Sequence, residues 1–524
     1  MNTFKQKSLC TAVLAGLGAL GAAGSADAVH VNPDGLGQVL LYPYYTARLP
    51  SGAATGVYNS LISVVNTQNN SKIVKVRFLE GKASREVLDF NLFLSPNDVW
   101  TGAIIPTADG ARIATNDNSC VTPNDLFTRA PGVLEAFKNF QYTVTPYSAP
   151  GISLDRTREG YVEILEMAVV TLANVVGYLT HNSAGIPGNC LALDPLDNFT
   201  GNTNTVRFPN TGAMMTVPPT GGLGGRMSII NAANGTNFSY DATALDQWTS
   251  TIQYSEAGNT APDLGSPGVA DAVSNVFVNG GVVRTQWAQS IDAVSASMMR
   301  DSVTNEFILD SGTNSQTDWV VTFPTKRGYV TAAVVPPFSN AFGASGACDP
   351  YAVAIFDREE RGPSNPAPVI LPSPLPPVGS IAGSNLCWEA NVVPFQAASL
   401  LGSTNTNALV ASIQSFASNA NTTAGTRTSV ASGTVQGPNG WFFMSFNNRA
   451  VQRLQPTVAG SVLFNGAVVA GLNTPSATNP TLNIGGHYGL PVIGFAVHNY
   501  NRATVGSLYG GVLNHKFTRL IPVS

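Results

Sequence analysis

Lys72-Ile73-Val74-Lys75-Val76-Arg77-Phe78-Leu79 decides the fold class: Val74, Val76 and Phe78 fall on one side of an extended chain, Lys75 and Arg77 on the other. A period of two marks a strand with one buried face and one wet face. The pattern runs on in both directions. Leu61 to Val65 reads as the preceding strand and ends in the polar turn Asn66-Thr67-Gln68-Asn69-Asn70. Arg85 to Leu94 sets Leu88, Phe90, Leu92 and Leu94 opposite Asp89 and Asn91, and Asp98 to Ile105 continues the meander. Four strands cannot bury their apolar face alone, so a second sheet must cover it, with Leu36 to Tyr45 contributing. The expected fold is mainly β: immunoglobulin-like β-sandwich modules with long disulfide-stapled loops and few short helices.

Composition agrees with that class. Charged residues make up 11% of the chain, against roughly 25% in an average soluble protein. Gly (51) and Pro (34) are abundant, while hydrophobic residues at 44% suffice for real cores. The formal net charge is −4 and no basic cluster exists, so nucleic acid is not an expected partner.

The first 28 residues read as an export signal. Lys5 and Lys7 precede the apolar run Leu9 to Gly24, and Ala26-Asp27-Ala28 offers the small-x-small pattern of a cleavage site. The run is too short and too rich in small residues for a good membrane-spanning helix. Removal of residues 1–28 from a chain of 524 leaves 496 beginning at Val29. The mature chain is thus expected outside the cytoplasm, at the cell surface or extracellular, with the periplasm as the alternative. Cys10 leaves with the signal, and an even number of cysteines remains: Cys120, Cys190, Cys348 and Cys387. Three pairings are possible, and the sequential one, Cys120–Cys190 with Cys348–Cys387, is preferred because each bond then staples one loop-like insertion.

Beyond the meander (residues 29–110), residues 111–225 read as an irregular insertion interrupted by strand character from Gly160 to Met167. Ala168 to Leu179 is compatible with a strand or a buried helix. Residues 226–362 form a β-rich region in which Ala242 to Trp248 and Ser290 to Arg300 are candidate short helices. Pro363 to Pro377 holds seven prolines in fifteen residues, and residues 363–386 are a Pro-rich loop or a linker. A loop is favoured if Cys348 bonds Cys387. Residues 387–524 are again β-rich and close with strong strands.

Four phrases together carry a resemblance. They are Asn32-Pro33-Asp34-Gly35-Leu36-Gly37-Gln38-Val39-Leu40-Leu41-Tyr42-Pro43-Tyr44-Tyr45, Lys75-Val76-Arg77-Phe78-Leu79-Glu80-Gly81, Trp319-Val320-Val321-Thr322-Phe323-Pro324-Thr325-Lys326 and Tyr509-Gly510-Gly511-Val512-Leu513-Asn514-His515-Lys516. The set resembles uncharacterised exported and cell-surface proteins of Gram-negative bacteria. The resemblance implies location and brings no catalytic motif.

Candidate chemistry is sparse. His487, His498 and His515 are spaced eleven and seventeen apart, which fits adjacent strands and makes them the candidate ligands of a transition metal. Asp194 and Asp197 with Asn198, Asn202 and Asn204 are candidate oxygen ligands for Ca²⁺, without the register of a recognised loop. Glu163 and Glu166 sit on opposite faces if their segment is a strand, which argues against a paired-carboxylate glycosidase. Asp357-Arg358-Glu359-Glu360-Arg361 reads as a solvated strand end or an ion-pair knot. Gly343-Ala344-Ser345-Gly346-Ala347 lacks the final glycine of a nucleophile elbow. The six Trp residues (100, 248, 287, 319, 388 and 441) read as core. No catalytic residue and no required cofactor is expected.

The function expected is therefore an exported, non-enzymatic cell-surface or extracellular structural protein that self-associates or meets other surface components. The alternatives are a secreted polysaccharide-binding or hydrolysing protein and an outer-membrane β-barrel. No transmembrane helix is expected in the mature chain.

Overall fold

Alternating apolar residues drive strands to pair and stack, and the computed structural model of the chain is accordingly mainly β, with several antiparallel sheets, two disulfides and three short α-helices among the described residues. These residues are 28–49, 56–123, 126–127, 135–193, 216–278, 280–310, 313–331, 334–357, 384–396, 398–406, 439–457, 461–502 and 507–524. The export segment 1–27, the oxygen-rich residues 194–204, the charge run after Asp357 and the Pro-rich residues 363–377 lie outside them.

The first core lies between two sheets. One has eight strands, in the order His30–Val31, Thr243–Asp246, Val39–Thr46, Glu159–Val170, Ser71–Glu80, Glu86–Leu94 and Val121–Thr122, with Thr216–Val217 pairing alongside. The other has six: Thr236–Asp241, Leu223–Asn231, Asn59–Asn66, Val99–Pro106, Ala111–Ala114 and Glu135–Ala136. Val74, Val76, Phe78, Phe90 and Ile164 of the first pack with Ile62, Val64, Trp100 and Ile229 of the second. The four expected strands form, but not as one meander: Ser71–Glu80 pairs with Glu86–Leu94 in the eight-stranded sheet, while Asn59–Asn66 and Val99–Pro106 cross to pair with each other in the six-stranded one, so the strands cover their own apolar faces. Glu159–Val170 is inserted from far along the chain between Val39–Thr46 and Ser71–Glu80.

The second face of the eight-stranded sheet is not wet. Lys75 and Arg77 are fully buried, because later chain segments cover them. Asn91 Nδ2 donates to Ser255 O, and Tyr161 donates its hydroxyl to Pro324 O at 3.3 Å. Beneath this cover the charges find partners across strands. Arg77 bonds Glu86 (2.9 Å) and Glu163 (2.6 Å), and Lys75 pairs with Asp89. Arg156 bonds Glu80 at 2.9 Å, and Arg48 bonds Glu159 at 2.8 Å. Removing one partner from such a pair leaves a buried charge uncompensated.

The second core lies between a five-stranded sheet (Ser384–Leu386, Asp349–Asp357, Asn439–Ser445, Ser302–Ile308, Lys516–Thr518) and a four-stranded one (Ala390–Pro394, Gln316–Thr322, Ile493–Arg502, Ser507–Asn514). Trp319 meets Phe442 edge-on at 4.7 Å between them. The four-stranded sheet serves both cores. Trp319, Val321 and Ala496 face the second, while Val320, Phe495 and Val497 close the first.

Helices are few. Ser290–Met298 is helical, as its segment suggests. Ala168 to Leu179 divides: the strand runs to Val170 and a helix spans Ala173–Leu179. The Ala242 to Trp248 segment is a strand at Thr243–Asp246, because Thr243, Ala244 and Leu245 take ladder partners on Leu41, Leu40 and Val39. No helix among the described residues is long and apolar enough to cross a membrane.

Both disulfides follow the sequential pairing. Cys120–Cys190 lies beside a small core of Ile73, Phe93, Met167 and Leu179. Cys348–Cys387 closes a loop whose arms pair as Asp349 with Leu386 and Tyr351 with Ser384, so the Pro-rich segment is held within a covalent ring. Two disulfides indicate an oxidising, exported environment.

Candidate functional site

Asn439-Gly440-Trp441-Phe442-Phe443-Met444-Ser445 is apolar on both faces of its strand. Phe442 and Met444 point into the second core, so Trp441 and Phe443 must point outward. Trp441 is 42% exposed, whereas the other five Trp residues are buried as expected. Register aligns two rows across the outer face of the five-stranded sheet. Phe356, Trp441 and Glu306 form one, and Ala354, Phe443, Thr304 and Lys516 the other. The Phe356 and Trp441 rings stack at 4.6 Å with 21° between their planes, and Phe443 meets Trp441 edge-on. The result is a flat aromatic face flanked by one acid and one cation. Such a face can stack on planar or apolar surfaces, including the CH faces of sugar rings. It holds no paired carboxylates.

The three histidines have separate partners. His487 contacts Thr285 Oγ1 at 3.3 Å and lies edge-on to Trp287. His498 contacts Thr317 Oγ1 at 2.8 Å, and His515 contacts Val320 O at 3.0 Å. Burial lowers all three, to about 3 for His487 and about 4 for the others. His498 and His515 do sit on one hairpin, but its register pairs His498 with Gly511. His515 consequently falls beside Gly494, four residues along the strand from His498 and ~13 Å away at strand rise. Among the described residues no group of three or more His, Cys, Asp or Glu is placed to hold a metal ion. The Ca²⁺ candidates fall outside the described residues.

The two carboxylates Glu163 and Glu166 separate as a strand requires. Glu163 bonds Arg77 on the covered face. Glu166 takes Lys72 at 2.6 Å and the backbone N–H groups of Thr220 (3.0 Å) and Gly221 (2.8 Å). Burial pushes both carboxyls up, and the adjacent cation pulls each back part of the way. Both are held by fixed partners that leave little freedom for proton transfer to a substrate.

The outward turn of Trp441 was missed because its neighbours on both faces are apolar, which erases the period-two signal. No family model, curated protein or solved structure matches the chain in comparisons with known proteins.

Proposed function

We propose that this chain is an exported, non-enzymatic structural protein of the cell surface or extracellular space, and that copies of it meet through the outer face of the five-stranded sheet. The observation that carries the reading is Trp441, exposed and stacked on Phe356 in a chain whose other tryptophans are all interior. Exposed aromatic clusters on otherwise polar surfaces mark sites of association. Ion pairing supports it too, since the buried carboxylates Glu80, Glu86, Glu159, Glu163 and Glu166 are all consumed in structural pairs. Each sheet is open-ended among the described residues and packs a filled core, which favours this reading over a membrane barrel.

Sedimentation velocity of the mature protein over a concentration series, with Trp441→Asn beside it, tests the proposal. Wild-type protein is expected to assemble with concentration and the variant to stay monomeric with an unchanged fold. A wild type that is monomeric throughout overturns the proposal.

A second reading, polysaccharide binding, is favoured by the same stacked pair with Glu306 alongside. Quenching or blue-shift of Trp441 fluorescence by a soluble polysaccharide, absent in the Asn variant, would select it.

A further inference from the structure

Seven Arg and Lys side chains are buried among the described residues, and six of them lie against a carboxylate: Arg48, Lys72, Lys75, Arg77, Arg156 and Lys326. The seventh, Arg300, does not. It is 5% exposed, and its recorded hydrogen bonds all run from Nη1, to Ser297 O at 3.2 Å and Met299 O at 3.0 Å. Its neighbour Asp301 is turned away to Arg449. A second guanidinium worsens the imbalance. Arg519 donates to the same Ser297 carbonyl at 3.1 Å and to Phe277 O at 3.0 Å, while its buried Nε has no partner. Both guanidinium groups lie over the Phe517 ring, at 3.9 Å and 5.2 Å from its centroid. Burial, with the Arg519 charge adding to it, lowers the proton affinity of Arg300, as an uncompensated cation requires.

Arg300 lines a cleft of about 520 Å³ at the seam of the two cores, walled by Asn32, Thr243, Val303, Gly494, His515 and Phe517. Two carboxylates also line it, Asp34 and Asp241. Asp241 is exposed and tied to Arg226 at 3.0 Å, and neither forms an ion pair with Arg300. The nitrogens of His515 are occupied by Asn305 and Val320 O. Arg300 Nε and Nη2 are thus left as donors without an acceptor among the described residues.

We infer that this cleft is an oxyanion site, in which Arg300 takes a carboxylate or phosphate group of an entering ligand. A guanidinium offers a planar fork that matches the two oxygens of either group. A buried charge without a partner is costly, and the other six buried Arg and Lys side chains each lie against a carboxylate. The inference does not depend on the aromatic face and stands or falls separately from it.

Thermal unfolding of the mature protein in increasing inorganic phosphate, and separately in glucuronate, against chloride at matched ionic strength, tests the site. Binding to the folded state alone raises the midpoint saturably. Saturation with phosphate only assigns a phosphate ligand, with glucuronate only a carboxylate, and with both the shared chemistry. Arg300→Met is expected to abolish the response while unfolding no earlier than wild type without anion, since it removes an unpaired charge. Arg300→Lys keeps the charge, loses the fork and is expected to weaken binding about tenfold. Lys138→Met, on an exposed side chain that does not line the cleft, should respond as wild type does. No saturable shift with either anion, an Arg300→Met protein that still responds, or one that unfolds well below wild type would overturn the inference.

Discussion

Replacing Glu389 by Gln probes how this interior handles charge. Glu389 sits just ahead of strand Ala390–Pro394 and is 1% exposed. Burial pushes its carboxyl from 4.5 up to about 8, with the Lys326 ammonium pulling the other way. A carboxyl raised in the folded state holds its proton more tightly there than in the unfolded chain. At low pH both states are protonated and the residue is neutral in its effect. As pH rises from 4.5 toward 8 the unfolded state ionises first, and stability is progressively lost. Each pH unit in that window costs about 1.4 kcal/mol, so the whole gap approaches about 5 kcal/mol. Gln has the same shape and never ionises. Urea unfolding followed by tryptophan fluorescence from about pH 5 to about pH 8 should therefore show near-equal stability at the acid end. The variant should then gain on wild type by about 1.4 kcal/mol per unit toward the alkaline end. Parallel profiles for the two proteins, or a wild type that gains on the variant as pH rises, would refute the reasoning.

Other consequences can be checked in the same way. Arg77→Met strands Glu163 and Glu86 beneath the cover of the eight-stranded sheet and is expected to cost about 3–5 kcal/mol by chemical denaturation. His487, lowered to about 3, stays neutral in the folded state while the unfolded state charges below about 6.5, so stability falls as pH drops through that interval. His487→Leu should flatten this acid limb, visible as a smaller loss of midpoint between about pH 6 and about pH 4. Cys348→Ala with Cys387→Ala opens a ring with a sequence separation of 39 residues and should cost up to about 4 kcal/mol, measured against wild type without reductant.

Much of this architecture is legible in local patterns. Val74, Val76 and Phe78 declare a strand and its core face, and Ser290–Met298 declares a helix, because those signals are carried by neighbouring residues. The sequential cysteine pairing is also legible, since each bond closes a stretch poor in regular pattern. What local pattern hides is the second neighbour. Lys75 and Arg77 read as solvent-facing because their cover lies some 180 to 250 residues later, at Ser255 and Pro324. Thr243–Asp246 reads as a helix until Val39–Leu41 offers it a ladder, an instance of tertiary pairing overriding propensity. His498 and His515 illustrate a subtler loss. Their shared hairpin is readable from spacing, but its register is not, and four residues of offset separate two imidazoles that spacing brings together. Trp441 and Arg300 escape for the same reason: an exposed aromatic and an unpaired buried cation are defined by what is absent around them.

Protease shaving of intact cells with antibody detection, combined with electron microscopy of the sheared surface fraction, tests the central claim of surface assembly most directly. The account predicts that the protein is cleaved on whole cells and is visible as a lattice or filament that Trp441→Asn disperses. A protein that stays protected on intact cells, and is released only as a soluble monomer when the outer membrane is opened, would contradict it.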